Sequence, residues 1–280
     1  MKQINSKKED TSEPKLILMS LLCKDQSNKP ALAQDMEKKS GKKTVLVMGA
    51  GDAIGSAILR KFSKTGMALC GARRNKDKLD KLIDQLSSEG HEAYAFKCDA
   101  RNEQEVTELF AKIEREIGPL NTVIFNVGAN VPMSILQTDS RKFFKIWEMA
   151  CFAGFLCGRE AAKYMLPRAD GTIIFSGATA SIRGANGFAA FASAKHGLRA
   201  LSQSMARELG PKNIHVAHVV IDAAVDTDWI RENIPHYKEL KQRNGIVDPH
   251  DLANCYLMLQ QQHRSAWTHE LDLRPHIENW

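Results

Sequence analysis

The residues with the clearest chemical meaning stand at two widely separated places in the chain. Near the start, Gly49-Ala-Gly51-Asp-Ala-Ile-Gly55 follows a short apolar run, Thr44–Met48. Glycines in that position let a backbone approach a pyrophosphate, and a helix opening just after them turns its positive end toward the anion. Farther on, Phe191 and Lys195 are four residues apart, so on a helix they share one face. Two readings of Lys195 stand at this point: a cation aimed into a cleft, or a surface lysine whose stem covers Phe191. Metal chemistry finds no support. The six cysteines lack CxxC spacing, and His215, His218, His236, His250, His263 and His269 are not spaced as ligands. The scattered cysteines also argue against a disulfide framework and suit a reducing compartment.

Such groups act only if a scaffold holds them, and the stretch after residue 43 has the texture of one. Strand-like runs are expected at 44–48, 67–71, 93–98, 120–126, 172–176 and 215–221. Between them lie segments of helical period at 53–65, 77–88, 103–117, 143–166 and 188–209, the last with Phe191, Ala194, Leu198, Leu201, Met205 and Leu209 in phase. A final edge strand is expected within 266–275. Near-continuous apolar strands alternating with amphipathic helices predict an α/β fold, a doubly wound parallel sheet covered on both faces, in a single domain spanning 43–280.

In this order the landmarks resemble the short-chain dehydrogenase/reductase family over about residues 43–230. The glycine loop resembles that family's TGxxxGxG loop, with Met48 for the threonine and Ala53 for the middle glycine. Cys98-Asp99-Ala100 resembles the segment that contacts adenine, and Asn126-Val-Gly128-Ala the NNAG segment beside the cofactor. Phe191-Ala-Ser-Ala-Lys195 stands where YxxxK belongs, and 205–214 reads like the following helix and turn. The resemblance implies a Rossmann-type sheet and a nicotinamide cofactor held by Gly49, Asp52, Ile54, Gly55, Asp99, Ala100, Asn126, Gly128, Lys195 and Thr227. Where family members that use NAD place an acid after the second strand, this chain has Arg73 and Arg74, which suits the 2′-phosphate of NADP. Asp52 opposes that reading, because it can pair with Arg73 in the empty site and weaken phosphate binding.

The same resemblance exposes a gap at the chemical end. The family's general acid/base tyrosine falls on Phe191, its substrate-binding serine on Ala178, and its water-ordering asparagine on Cys151. Ser176, Thr179 and Ser181 flank the serine position, so a small shift restores a hydroxyl there. No shift restores a phenol, since the nearest tyrosine in sequence is Tyr164 on a different helix. Phenylalanine has no proton to give, and losing general acid/base help costs roughly 10²–10⁴ in rate. Lys195 remains as a catalytic and ribose-binding candidate. Asp222, after the sixth strand, is either a cap or turn residue or a substitute proton donor, and Asn130 is a third polar candidate.

Composition sets the outer limits. The 280 residues carry a net charge of +6, of which residues 1–43 contribute +4. That lysine-rich, polar stretch reads as a flexible extension (1–42) with one apolar island at 16–22, too short to span a bilayer. Acids at Glu9, Asp10 and Glu13 before the island do not suit a secretory signal, so a cytoplasmic location is expected, without membrane or nucleic-acid partners. The partners expected are a small-molecule substrate and further copies of this chain, as a homodimer or homotetramer paired through 143–166 and 188–209. Three functional readings follow: an NADP-dependent oxidoreductase with atypical proton transfer, for example reducing a C=C bond conjugated to a carbonyl; a nucleotide-binding pseudoenzyme; and an interaction protein working through its tail.

Overall fold

A computed structural model describes residues 41–128 and 130–278. The tail expectation for residues 1–40, apolar island included, therefore lies outside the described residues, as does Ala129. Gly41 and Lys42, expected in the extension, already belong to the folded part. Lys42 pairs with Glu92 at 3.7 Å, and the Thr44 amide donates to the Pro119 carbonyl at 2.9 Å.

Seven parallel strands form one sheet in the order β3-β2-β1-β4-β5-β6-β7. They are β1 (Thr44–Met48), β2 (Ala68–Arg73), β3 (Ala93–Lys97), β4 (Leu120–Phe125), β5 (Gly171–Ser176), β6 (Ile214–Ile221) and β7 (Glu270–Leu273). The expected alternation is thus present, with β2 to β6 each shifted by one or two residues at an end. β2 runs two residues farther than expected, so Arg73 ends the strand instead of following it. Chain order reverses between β1 and β4, which pair from Thr44 with Leu120 to Met48 with Phe125. In sheets of this kind ligands bind at such a reversal, beyond the carboxyl ends of the strands.

Helices cover both faces. On one side α1 (Ile54–Phe62), α2 (Asp77–Ser88) and α9 (Pro249–Gln261) pack around Ile58, Phe62, Leu79, Leu86 and Tyr256. On the other, α3 (Glu103–Glu116), α5 (Ala153–Met165) and α6 (Ala189–Leu209) pack around Phe110, Phe125, Leu156, Phe175 and Leu198. Removing a ring such as Phe110 or Phe175 from water contributes about 1.5–3 kcal/mol each. Three departures from the sequence expectation stand out. The helix expected at 143–166 starts at Ser140, where the Asp139 side chain caps the Lys142 amide at 2.8 Å. It is then split into α4 (Ser140–Trp147) and α5 by a π-helical turn, Glu148–Phe152. Finally, three helices that sequence periodicity did not mark follow β6: α7 (Asp228–Asn233), α8 (Tyr237–Gln242) and α9.

Candidate active site

The loop between β1 and α1 is shaped by what its glycines touch. Gly49 sits at φ +85°, and a Cβ there would stand 2.7 Å from the Asn126 carbonyl oxygen. A Cβ on Gly55 would stand 2.5 Å from Ala50 Cα, so only glycine lets α1 close on the strand. Gly51 and Gly128 instead face open space. Asn126 Nδ2 donates to the Gly49 carbonyl at 3.1 Å and ties the two loops at the strand-order reversal. No side chain caps the start of α1; the Ser56 amide donates to the Gly51 carbonyl at 2.9 Å, and the Ile54 and Gly55 amides before it suit an anion. A groove of about 900 Å³ lies over this turn, lined among others by Asp52, Ile54, Ser56, Thr227 and Trp229. Thr227 does double duty there, since its Oγ1 accepts from the Ile230 amide at 3.2 Å and caps α7.

Beside that groove a cavity of about 510 Å³ gathers Arg73, Arg74, Lys78, Asp99, Ala100 and Arg101. The pairing anticipated from sequence is present: Arg73 Nη1 donates to Asp52 Oδ1 at 2.6 Å. Arg101 wraps Asp99, with Nε on Oδ1 at 2.9 Å, and its hydrogen bonds hold that carboxyl below the usual aspartate range. Sequence reasoning passed over Arg101; an arginine two residues after an adenine-contacting aspartate was the signal available.

At the opposite end a third cavity, about 420 Å³, is walled by Ile54, Ala178, Phe188, Phe191, Ile221 and Val225, with Lys195 at its floor. The snorkelling alternative for Lys195 does not hold. The residue is only 3% exposed, its Nζ donates to the Ser176 carbonyl at 2.8 Å, and a longer bond reaches Val127 O at 3.4 Å. The Phe191 ring centre lies 5.9 Å away. Burial holds the ammonium down to about 8, opposed by the nearby Cys151. His218, behind the floor, is pushed by burial down to about 4 despite its bond to Glu270. It therefore stays neutral near pH 7 and adds no second buried cation.

None of the hydroxyls flanking Ala178 fills the serine's place freely. Ser176 Oγ shares a 2.6 Å bond with Tyr256 Oη, Thr179 Oγ1 donates to Asp222 at 2.6 Å, and Ser181 Oγ accepts from the Ala178 amide at 3.0 Å. Of the two readings of Asp222, turn residue or substitute acid, its placement favours the first. It is buried, it does not line the cavity, and its carboxylate faces Thr179, Arg183 at 3.2 Å and Arg274 at 3.4 Å. The carboxylate thus ties the Thr179 loop and the Arg183 and Arg274 side chains together at the end of β6. Asn130 does line the cavity. Cys151 packs against α6, where a Cβ on Gly197 would stand 2.9 Å from its Sγ.

Comparison with known proteins agrees with this geometry. Residues 43–238 match the short chain dehydrogenase family. This chain belongs to that family. A short-chain dehydrogenase from Rhodopseudomonas palustris is 47% identical and superposes with a TM-score of 0.72, covering 84% of this chain and 99% of that one. The 2,3-dihydro-2,3-dihydroxybenzoate dehydrogenase of Bacillus subtilis (strain 168) is 27% identical over 231 residues, covering 78% of this chain and 88% of its own. The actinorhodin polyketide ketoreductase, at 21% identity and a TM-score of 0.77 over 85% of this chain and 98% of that one, shares the fold.

As a short-chain dehydrogenase/reductase the chain is an oxidoreductase, and its cofactor end fits a nicotinamide dinucleotide. The glycine contacts, the uncapped α1 and the open space at Gly51 and Gly128 leave room and donors for a pyrophosphate. Among the described residues no helix is long and apolar enough to cross a membrane, and no group of His, Cys, Asp and Glu could hold a metal. Two further groups escaped sequence reasoning. Arg183 lines the third cavity from a short loop without periodicity. Asp226 binds Arg231 at 2.7 Å, Tyr237 at 2.9 Å and Lys241 at 2.9 Å, fastening α7 and α8 beside the groove.

Proposed function

We propose that this chain is an NADP(H)-dependent oxidoreductase for a small carbonyl or conjugated-carbonyl compound, in which Lys195 moves the proton that a tyrosine moves elsewhere in the family. A bound nicotinamide supplies or accepts a hydride. What the chain must add is a proton, a donor to fix the cofactor, and a dry place for both. The observation that carries the reading is the content of the third cavity. Among the described residues lining it, Lys195 is the one group able to release a proton near neutral pH, because a guanidinium such as Arg183 does not deprotonate. Two of its three N–H bonds point at carbonyls of Ser176 and Val127, and the third is available to a ribose hydroxyl or a substrate oxygen. In the reducing direction Nζ gives its proton to the substrate and recovers one from solvent. The alanine and phenylalanine side chains offer the substrate apolar contacts, with Asn130 and Arg183 as polar neighbours.

Arg73 and Arg74 support NADP over NAD, and no carboxylate follows β2 within Ala72-Arg73-Arg74-Asn75. The actinorhodin ketoreductase was solved with NADPH, in line with this choice. Self-association through α4, α5 and α6 belongs to the same reading. Phe144, Trp147, Phe152 and Phe155 form a ladder of rings with Phe144 61% and Phe155 39% exposed. Light scattering at micromolar concentration should give at least a dimer.

The function is tested by NADPH oxidation over a panel of ketones, quinones and conjugated enones, with binding measured in parallel. Turnover of an enone or activated ketone that vanishes in Lys195→Met supports the reading. Tight NADPH binding with no turnover anywhere on the panel would overturn it.

A further inference from the structure

We infer that the substrate carries a carboxylate, and that Arg183 is the residue that receives it in the third cavity. That substrate class rests on the proposed oxidoreductase reading of the same cavity: an oxo acid in place of a neutral ketone or enone.

The charges lining the cavity are of one sign. Among the described residues around it the ionisable side chains are Lys195 and Arg183, and none is a carboxylate. Most of the remaining wall is alanine, phenylalanine, isoleucine and valine. Two cations against such a wall make a positive site of low polarity, where an anion is drawn in and a neutral molecule gains nothing from the charge. Lys195 already spends two N–H groups on the carbonyls of Ser176 and Val127. Arg183 is the cation with donors to spare.

It is held from behind. Its Nη2 donates to Asp222 Oδ1 at 3.2 Å, and Thr179 Oγ1 donates to the same oxygen at 2.6 Å. The Asp222 side chain is 2% exposed and has Arg274 Nη1 3.4 Å from its other oxygen, so it is the fixed partner. The Arg183 side chain is 43% exposed. A guanidinium has five N–H groups in a planar fork, and one is used here. Whichever hydrogen of Nη2 is engaged, one two-point edge stays open, which is the shape a carboxylate binds. Glu278 stands 3.9 Å from Nη2, outside hydrogen-bonding range, so an incoming carboxylate displaces it without breaking a hydrogen bond. Asp222 and Thr179 position the guanidinium, and Arg183 meets the substrate. Because it does not deprotonate, Arg183 acts on affinity and leaves the proton to Lys195.

Two acid–ester pairs hold the reacting group constant and change the charge: 4-oxo-2-pentenoate and 3-benzoylacrylate, each against its methyl ester. With NADPH and the full chain, kcat/KM for each acid should exceed that of its ester by roughly ten- to a hundredfold, the scale of one charge-assisted contact. Arg183→Gln should raise KM for the acids by that factor, and leave kcat and the esters within about twofold. Arg183→Lys should recover part of the loss, as a point charge without the fork. If Arg183 only braces Asp222, acids and esters will suffer alike and the thermal midpoint will fall, which overturns the inference. An acid–ester ratio near one in the parent, or a ratio that Arg183→Gln leaves unchanged, also overturns it while the oxidoreductase reading stands. Should neither acid nor ester turn over, calorimetry of the NADPH-loaded chain decides. Tighter binding of the acids that is lost in Arg183→Gln keeps the carboxylate site and returns the reaction to the wider panel. Equal binding of acid and ester ends the inference.

Discussion

The two ends of this active site differ in what they ask of the sequence. The cofactor end is built from backbone: glycines that admit close approach, an uncapped helix start and a few cations at strand ends. It tolerates Met48 and Ala53 where the family has threonine and glycine, because many small contacts share the work. The chemical end depends on single atoms. There the resemblance puts Phe191, Ala178 and Cys151 where the family has three polar side chains, and Lys195 is the ammonium that lines the cavity. On the proposed function, binding is distributed over many groups and proton transfer falls to Lys195.

The largest effect is expected at Lys195, which serves both ends. Lys195→Met keeps most of the stem and removes the charge, so turnover should fall by about 10²–10⁴. NADPH affinity should fall by one charge-assisted hydrogen bond, ~1.5–3 kcal/mol. Lys195→Arg retains a cation that does not release its proton, so it should restore part of the binding and none of the turnover. Equal rescue of both by arginine would mean that Lys195 acts by charge alone.

Next in size is the attempt to rebuild the missing chemistry. Phe191→Tyr places a phenol within reach of Lys195, and Ala178→Ser adds a carbonyl donor. Together they should raise reductase activity toward simple activated ketones by about 10²-fold, the lower range for general acid help. Cofactor affinity should stay within about twofold of the parent, since neither residue belongs to the cofactor end. An inert double variant that still binds NADPH would show that the cavity lacks more than two groups.

A smaller effect, roughly tenfold per pH unit, follows from the lysine's environment. Burial lowers Lys195 from 10.5 to about 8, while the facing Cys151 is pushed up by burial and His218 down, so both are neutral near pH 7. The donor is the protonated form. Reduction should therefore hold steady below pH 8 and decline above it, with oxidation running the other way. A depressed lysine also costs stability at low pH, and that cost should lessen as pH rises from about 8 to 10.5. In Phe191→Tyr the phenol takes over the proton, and the profile should change shape. A parent profile that is flat across pH 8 would break the claim that Lys195 is the donor.

The same division governs how much could be read in advance. The cofactor end was legible because its signals are local: a glycine run between strand and helix, and arginines at the end of β2. Even the Asp52–Arg73 pair followed from charge and position. That phenylalanine stands where the resemblance puts a tyrosine was equally plain, at one spaced position. What took its place was not legible. Asp222 is an acid near the right strand, yet its role depends on Arg183 and Arg274, which approach from residues 39 earlier and 52 later in the chain. The hydroxyls of Ser176 and Thr179 looked available until Tyr256 and Asp222 met them from distant segments. Helix α9 was missed although Asp248 and Pro249 mark its start, because its apolar residues pack against α1 and in the core beneath it without a strong period. The π-helical turn at Glu148–Phe152 hid behind continuous helical spacing.

The smallest predicted effect concerns Asp226, which lies after β6 at the chemical end but lines the cofactor groove. Burial raises its carboxyl, but hydrogen bonds from Lys241, Arg231 and Tyr237 outweigh that and bring it from 3.8 to about 2. A carboxyl depressed on folding stabilises the protein above its unfolded value, and that contribution is lost as pH falls through the folded one. Arg231 is half exposed, so solvent screens part of the gain and the net is about 1 kcal/mol. Asp226→Asn keeps an acceptor for Tyr237 and removes the charge, so at pH 7 the thermal midpoint should drop by ~2–4 °C. The gap from the parent should narrow as pH falls below 4. NADPH affinity should weaken slightly, because α7 and α8 are fastened beside the groove, while the pH profile of turnover should not move. A shifted profile would mean that the carboxylate acts on the proton as well, and the separation of the two ends would have to be redrawn around it.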